Sequence, residues 1–370
     1  MAPSIISKAL PLISQHEETS DFSLTVAPFI HHFFELPSRL LSIKSLDGLR
    51  DVYLDTNPVI SAFAFSLLVA QIAFVVSTIN KNYSQIDRVW SILPGLYNAH
   101  YWYWAKLTGI RSQRLDVLAI FSACWSARLT FNYWRKGGYD KGSEDYRWKV
   151  VKSRIPNETV WVVFNYVVIS LFQSVLLFFI ATPFYILVLG SRIQPEIISR
   201  DALFPQILSV LLVLEFYADN QQWEFHLAKH KYQRTAKVPE DWDAKDLDRG
   251  FNTLGLWQYS RHPNFAAEQA IWAVIYEWGC FQSGSIVNWT AFGAFFYLAV
   301  FQGSTPITEN ISSQKYPEYK EYKRYVGRFV PKLLGPKWDD YLKAQEKKNP
   351  IADATPAKGA DKLRGSKKLR

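Results

Sequence analysis

Apolar residues in this chain come in blocks of about 17–25, the length that crosses a bilayer as a helix. The blocks lie at residues 58–79, 89–105, 115–134, 160–189, 203–217 and a little beyond, 265–282 and 286–304. Charged loops separate them. A backbone in hydrocarbon must satisfy its own hydrogen bonds, so the blocks must be helices or a closed barrel, and their length selects helices. The expected fold is all-α: a polytopic helical membrane protein with about seven transmembrane helices. The mean hydropathy of −0.08 stands near zero only because the loops and tail dilute the blocks.

The net charge of +9 is concentrated in the loops after the third and fifth blocks and in the tail. Such a bias marks cytoplasmic segments that meet anionic lipid, and nucleic acid is not expected as a partner. Seven spans with the C-terminus in the cytoplasm satisfy it. Splitting 160–189 into two spans would put the two basic loops on opposite sides, which argues for one.

Residues 1–57 form a mixed N-terminal segment without the apolar core and cleavage site of a signal peptide. Within it, 29–43 is amphipathic enough to lie on a membrane surface, and Pro37 is expected to break it. The His31-His32 pair reads as interfacial, and no metal site is expected. Cys124 and Cys280 lie inside apolar blocks and make no disulfide framework. Residues 58–335 form the membrane domain. Residues 336–370 are a basic tail expected to be disordered.

The richest stretch is GFNTLGLWQYSRHPNFAAEQAIWAVIYEWGCFQ, residues 250–282. A polar loop runs into Tyr259-Ser260-Arg261-His262-Pro263-Asn264, and an apolar helix follows. Pro263 suits a first helical position, where its missing N–H costs nothing. Arg261 and His262 then stand beside the free N–H groups of a helix start, a setting for phosphate or another anion. Asn264 and Glu268 share a face four residues apart. Glu268 in an apolar run needs a ligand or a cation from another helix. The alternative is a capped helix with a structural ion pair.

Two other stretches carry polar groups into the apolar blocks. Glu215, Asp219 and Gln222 or His226 form one helical stripe as the fifth block ends, too polar for a lipid face. The second block holds Tyr97, His100, Tyr101 and Tyr103, with Asp87 just before it. That cluster reads as an aromatic belt at the membrane interface or as phenol donors into a pocket.

GLWQYSRHPNFAAEQ, EFYADNQQWEFH and TEN…KYPEYKEYKRYVGRFVP together resemble the steroid 5-alpha-reductase C-terminal superfamily. SQIDRVW and WSARLTFNYWRKGG…EDYRW narrow the resemblance to its uncharacterised branch, called domain of unknown function 1295, over residues 84–331. The resemblance implies a steroid-reductase-like membrane fold of the endoplasmic reticulum and an NADPH-dependent reduction of a lipid or sterol-like C=C bond. It implies cofactor contacts from Glu215, Asp219 and His226; from Tyr259, Arg261, His262, Asn264 and Glu268; and from Glu309, Tyr319, Tyr322 and Arg328. The catalytic acid has no match in the first spans. Tyr97, Tyr101, Tyr103 and Asp87 are its candidates. Lys367 and Lys368 resemble a dilysine retrieval signal read by a coat complex.

Two rival readings stand beside this one. A membrane methyltransferase of the isoprenylcysteine carboxyl methyltransferase type would place S-adenosylmethionine behind a similar Arg-His-Pro helix start. A non-enzymatic scaffold or lipid binder would keep the fold and bind neither ligand.

Overall fold

The computed structural model describes residues 8–332 and 334–348. The dilysine lies outside the described residues, but the tail expected to be disordered from residue 336 is helical over Trp338–Lys348, where the Trp338 ring is buried against Tyr322. Among the described residues the structure is helical, with no strand beyond one isolated parallel bridge. Apart from a four-residue helical turn at Phe22–Thr25, the helices are α1 (Ile30–Leu41), α2 (Leu46–Asp55), α3 (Pro58–Asn80), α4 (Gln85–Val89), α5 (Leu93–Leu107), α6 (Gln113–Arg135) and α7 (Tyr146–Arg154). Then come α8 (Glu158–Gly190), α9 (Leu203–Thr235), α10 (Ala244–Arg249), α11 (Pro263–Ser283), α12 (Ala291–Lys315), α13 (Tyr319–Tyr325) and α14 (Trp338–Lys348).

Helix starts follow capping chemistry. Asn57 accepts from Val59 N with Pro58 at the first position, Ser112 accepts from Leu115 N, Asp145 from Arg147 N and Asn157 from Val160 N. Each satisfies a donor the helix leaves open. By length and composition, α3, α8 and the helical stretch Ser199–Thr235 are apolar enough to cross a membrane. The other expected spans are helical but more polar or shorter. The second begins at Leu93, after a turn at Trp90–Ile92, with Pro94 in its first turn. The seventh starts at Ala291 instead of 286. Asn288 takes Thr290 N on its side chain and Ala291 N on its carbonyl, which fixes the start there. Pro37 sits inside α1 without breaking it. A proline removes one donor, and the amphipathic face keeps the remaining turns packed.

Residues 160–189 form one rod. It contains a π segment, Asn165–Phe172, and a turn at Ile180–Thr182 before Pro183. At that turn Ala181 N and Thr182 N bond three residues back instead of four, because Pro183 has no N–H to continue the ladder.

The described residues form two compact units: those up to Leu212 with Gln269–Ser304, and Val213–Glu268 with those from Thr305 on. In the first, the last turns of α8, Phe184 to Leu189, are fully buried, as an all-apolar helix must be. A Cβ at Gly293 of α12 would stand 2.3 Å from the Phe179 carbonyl, so only glycine permits that approach.

The connections of this unit meet in two groups. Loop 82–88 meets residues 139–148: Asn82 Nδ2 donates to Ser143 O at 2.8 Å, Asp145 N to Ser84 Oγ at 2.9 Å, and Trp148 Nε1 to Asp87 Oδ2 at 2.7 Å. Residues 112–114 meet 191–201 instead. Ser191 Oγ donates to Ser112 Oγ at 2.6 Å, and Arg114 pairs with Asp201, both buried. Trp278 Nε1 donates to the other Asp201 oxygen at 2.8 Å. The connection after α3 thus contacts the one after α6, and the connection after α5 contacts the one after α8.

The second unit has two small apolar clusters. Phe251, Tyr319, Tyr322, Val326 and Trp338 make one, and Phe225, Ala228 and Leu247 the other. The buried Lys229 ammonium donates to Gly250 O at 2.9 Å and lies against the Phe225 and Tyr316 rings.

Candidate functional site

The site is built in the second unit, where residues 260–262 lie beside 326–328 just before α11 starts at Pro263. Ser260 and Gly327 form the parallel bridge. Arg261 N donates to Gly327 O at 2.9 Å and His262 N to Arg328 O at 3.1 Å. A Cβ at Gly327 would fall 1.8 Å from Val330 O, so glycine is needed for this close return.

Pinned this way, Arg261 and His262 turn toward Glu309 of α12. Arg261 Nε donates to Glu309 Oε1 at 2.7 Å, and its Nη1 reaches the carbonyls of Lys323 and Val326. His262 Nε2 is 3.2 Å from the same Oε1. Lys323 Nζ and Arg328 Nε stand 3.6 and 3.8 Å from Oε2. The pair at the centre is buried, with Glu309 1% and Arg261 7% exposed. Lys323 and Arg328 are 38% and 35% exposed.

Burial opposes ionisation of Glu309, but the bonds from His262 and Arg261 and the charge of Arg261 outweigh it and hold the carboxyl down at about 2. Burial pushes His262 below its ordinary value, with Arg261 and Arg328 adding to the effect and Glu309 opposing it. At neutral pH the cluster therefore carries Arg261, Lys323 and Arg328 against one carboxylate, an excess of two positive charges.

The acid stripe of α9 lies in the same unit. Glu215, Asp219 and Glu268 are buried. Asn264 Nδ2 donates to Asp219 Oδ1 at 3.0 Å, which ties the first turn of α11 to the stripe. Its Oδ1 is enclosed without a hydrogen-bond partner, and so is Gln222 Oε1. Gln222 Nε2 meets His226 Nε2 at 3.0 Å.

Other candidates have different settings. Tyr322 is buried, and its hydroxyl donates to Trp257 O. Tyr319 is buried beside Tyr322 in the apolar cluster. Tyr259 is 58% exposed. The catalytic candidates belong to the first unit. Tyr97 and Tyr101 are buried, and neither hydroxyl has a hydrogen-bond partner. Tyr103 is 52% exposed. Asp87 is held by Trp148, and enclosure by the two loops pushes its carboxyl up against the pull of Arg147.

Lys323 was not singled out from the sequence. Its signal was indirect: Glu309, in a polar run after an apolar block, needs cations, and the only basic cluster soon after it is Lys320 to Arg328.

The sequence model of a family described as Protein of unknown function (DUF1295) matches residues 73–328. An uncharacterized protein of Schizosaccharomyces pombe is 38% identical over 336 residues, covering 90% of this chain and 96% of that one. No solved structure matches. The residues that build the Glu309 cluster and the Asn264–Asp219 contact fall within the matched stretch, and the chain belongs to the DUF1295 family.

Proposed function

We propose that the protein is a membrane-embedded NADPH-dependent reductase of a C=C bond in a lipid or sterol-like substrate. The observation that carries this reading is the excess positive charge around Glu309. An isolated structural cap needs one cation per carboxylate, whereas three charged side chains converge here and two of them remain open to solvent. Buried or half-buried charge of one sign calls for a counter-ion, and a dinucleotide phosphate supplies it.

The residues fit the cofactor in two chemical classes. Lys323 and Arg328 offer donors and charge to phosphate oxygens, with Arg261 holding the carboxylate beneath them. Asn264, Gln222 and the acids of the α9 stripe offer acceptors to ribose hydroxyls and amide N–H groups. The two enclosed, unpartnered carbonyl oxygens of Asn264 and Gln222 favour a ligand that brings donors. NADPH, when bound, supplies the hydride that the reduction consumes. This chain's part is to bind and orient it and to protonate the product. For the proton we propose Tyr97 or Tyr101, whose buried hydroxyls lack a partner.

The grouping of connections supports seven crossings with the loops at 82–88 and 135–154 in the cytoplasm. With the basic tail, it supports a cytoplasmic C-terminus, and the family resemblance suggests residence in the endoplasmic reticulum, where a lipid substrate is at hand.

The test is deuteride transfer. Purified protein in nanodiscs, given 4-deuterated NADPH and a microsomal lipid extract, should form NADP+ and deuterated lipid. S-adenosylmethionine, and not NADPH, raising the melting temperature would replace this reading with the methyltransferase. Neither ligand acting would leave the scaffold.

A further inference from the structure

A groove of about 590 Å³ lies between α5 and α6 in the first unit. Its floor is Gly95 and Ala99 of α5 with Ala123 and Ala127 of α6, and Phe131 and Trp134 close one end. The alanines are exposed, so the groove opens outward along its length. Thr130 and Ser126 also line it, and the Thr130 hydroxyl is already bonded to Ser91 Oγ at 2.7 Å, which leaves Ser126 and Trp134 as the other lining side chains with a polar atom. The groove therefore asks for hydrocarbon and offers little to a polar ligand. In water such a surface would be anomalous. Here it flanks helices long and apolar enough to cross a membrane.

Its dimensions and one charge point to the occupant. From Ala119 to Trp134 the groove follows α6 for about 22 Å, at 1.5 Å per residue. One leaflet contributes about 15 Å of hydrocarbon, half of a core roughly 30 Å thick. An extended chain entering at one surface would fill the groove and pass the midplane. At the Trp134 end the Arg135 guanidinium sits 5.4 Å from the centroid of Phe131, itself a lining ring. Lys136 follows, and residues 135–154 carry seven Lys or Arg against three Asp or Glu. A tryptophan with adjacent cations is the arrangement found at headgroup depth.

We propose that this groove holds one acyl chain of an anionic glycerophospholipid, its phosphate at Arg135 and Lys136. The site is independent of the proposed cofactor site. It makes a membrane lipid a bound component of the protein.

The experiment uses the full chain in nanodiscs with a phosphatidylserine carrying a mid-chain diazirine, compared with phosphatidylcholine bearing the same chain. Labelling should map to residues 92–99 and 119–134. Ala99→Phe with Ala123→Phe, both at exposed positions, should cut it about fivefold or more at unchanged melting temperature. Phosphatidylserine should label about fivefold more than phosphatidylcholine, and Arg135→Gln with Lys136→Gln should erase that preference. The proposal is overturned by labelling spread over Leu68, Ile72 and Val210 in proportion to their exposure. It is equally overturned by labelling indifferent to groove filling, by equal labelling from the two lipids, or by ready disulfide dimerisation of Ala123→Cys, which would make the groove a contact between copies.

Discussion

Replacing Glu309 with Gln separates the two roles of its cluster. In the native protein the carboxyl is held at about 2 against an ordinary 4.5. A shift of that size corresponds to about 3 kcal/mol at 1.36 kcal/mol per unit. Removing one partner of a buried ion pair costs about 3–5 kcal/mol, which agrees. The sign follows from the depressed value: the stabilisation is complete above about pH 5 and is lost as pH falls from there toward 2. At pH 7 Glu309→Gln should lower the melting temperature of the detergent-solubilised protein by roughly 6–12 °C, at about 2–4 °C per kcal/mol. By pH 3 less than half of the difference should survive. Ligand binding should move the other way. Without the carboxylate the cluster gains a positive charge, so NADPH should raise the melting temperature of the variant by more than it raises that of the native protein. A variant equally stable at pH 7, or one that NADPH stabilises less than the native protein, would refute the charge argument.

Other outcomes follow from the same structure. Arg114→Met should destabilise the protein by about 3–5 kcal/mol, since it strands the fully buried Asp201, and Arg114→Met with Asp201→Leu should recover part of that loss in thermal unfolding. Tyr97→Phe and Tyr101→Phe should leave stability within about 1 kcal/mol, because neither hydroxyl makes a bond to lose, while at least one should lower kcat by 10²-fold or more at unchanged NADPH affinity. Gly293→Ala should lower the melting temperature through collision with the Phe179 backbone. A tag after Arg370 should be cleaved by protease added outside sealed microsomes.

The sequence makes the helical membrane class legible because block length and backbone satisfaction leave few alternatives. It also marks the helix start at Pro263 and the polar stripe of α9, since both rest on local spacing. The partner of Arg261 was not legible. Glu309 lies 48 residues further on, and only the packing of α12 beside residues 260–262 brings them together. The same holds for the clasp between Asp87 and Trp148, whose residues belong to separate motifs. Local rules also misplaced three features. The tail expected to be disordered from 336 begins with helix α14, held by the buried Trp338. Pro37 was expected to break a helix that tertiary packing keeps, and 286 was expected to begin a span that Asn288 defers to Ala291. Lys323 gave no periodic signal, because its relation to Glu309 depends on the reversal of the chain between α12 and α13.

The central claim is that surplus positive charge at Glu309 binds the phosphates of a dinucleotide. Equilibrium titration of NADPH into the purified protein over a salt series measures this most directly. Native protein should bind with an affinity that falls as salt rises, and Lys323→Gln with Arg328→Gln should weaken binding by roughly 10–100-fold and flatten the salt dependence, as expected for half-exposed charge-assisted contacts. Saturable binding that ignores both the salt and the two substitutions would contradict the account, and so would no binding at all.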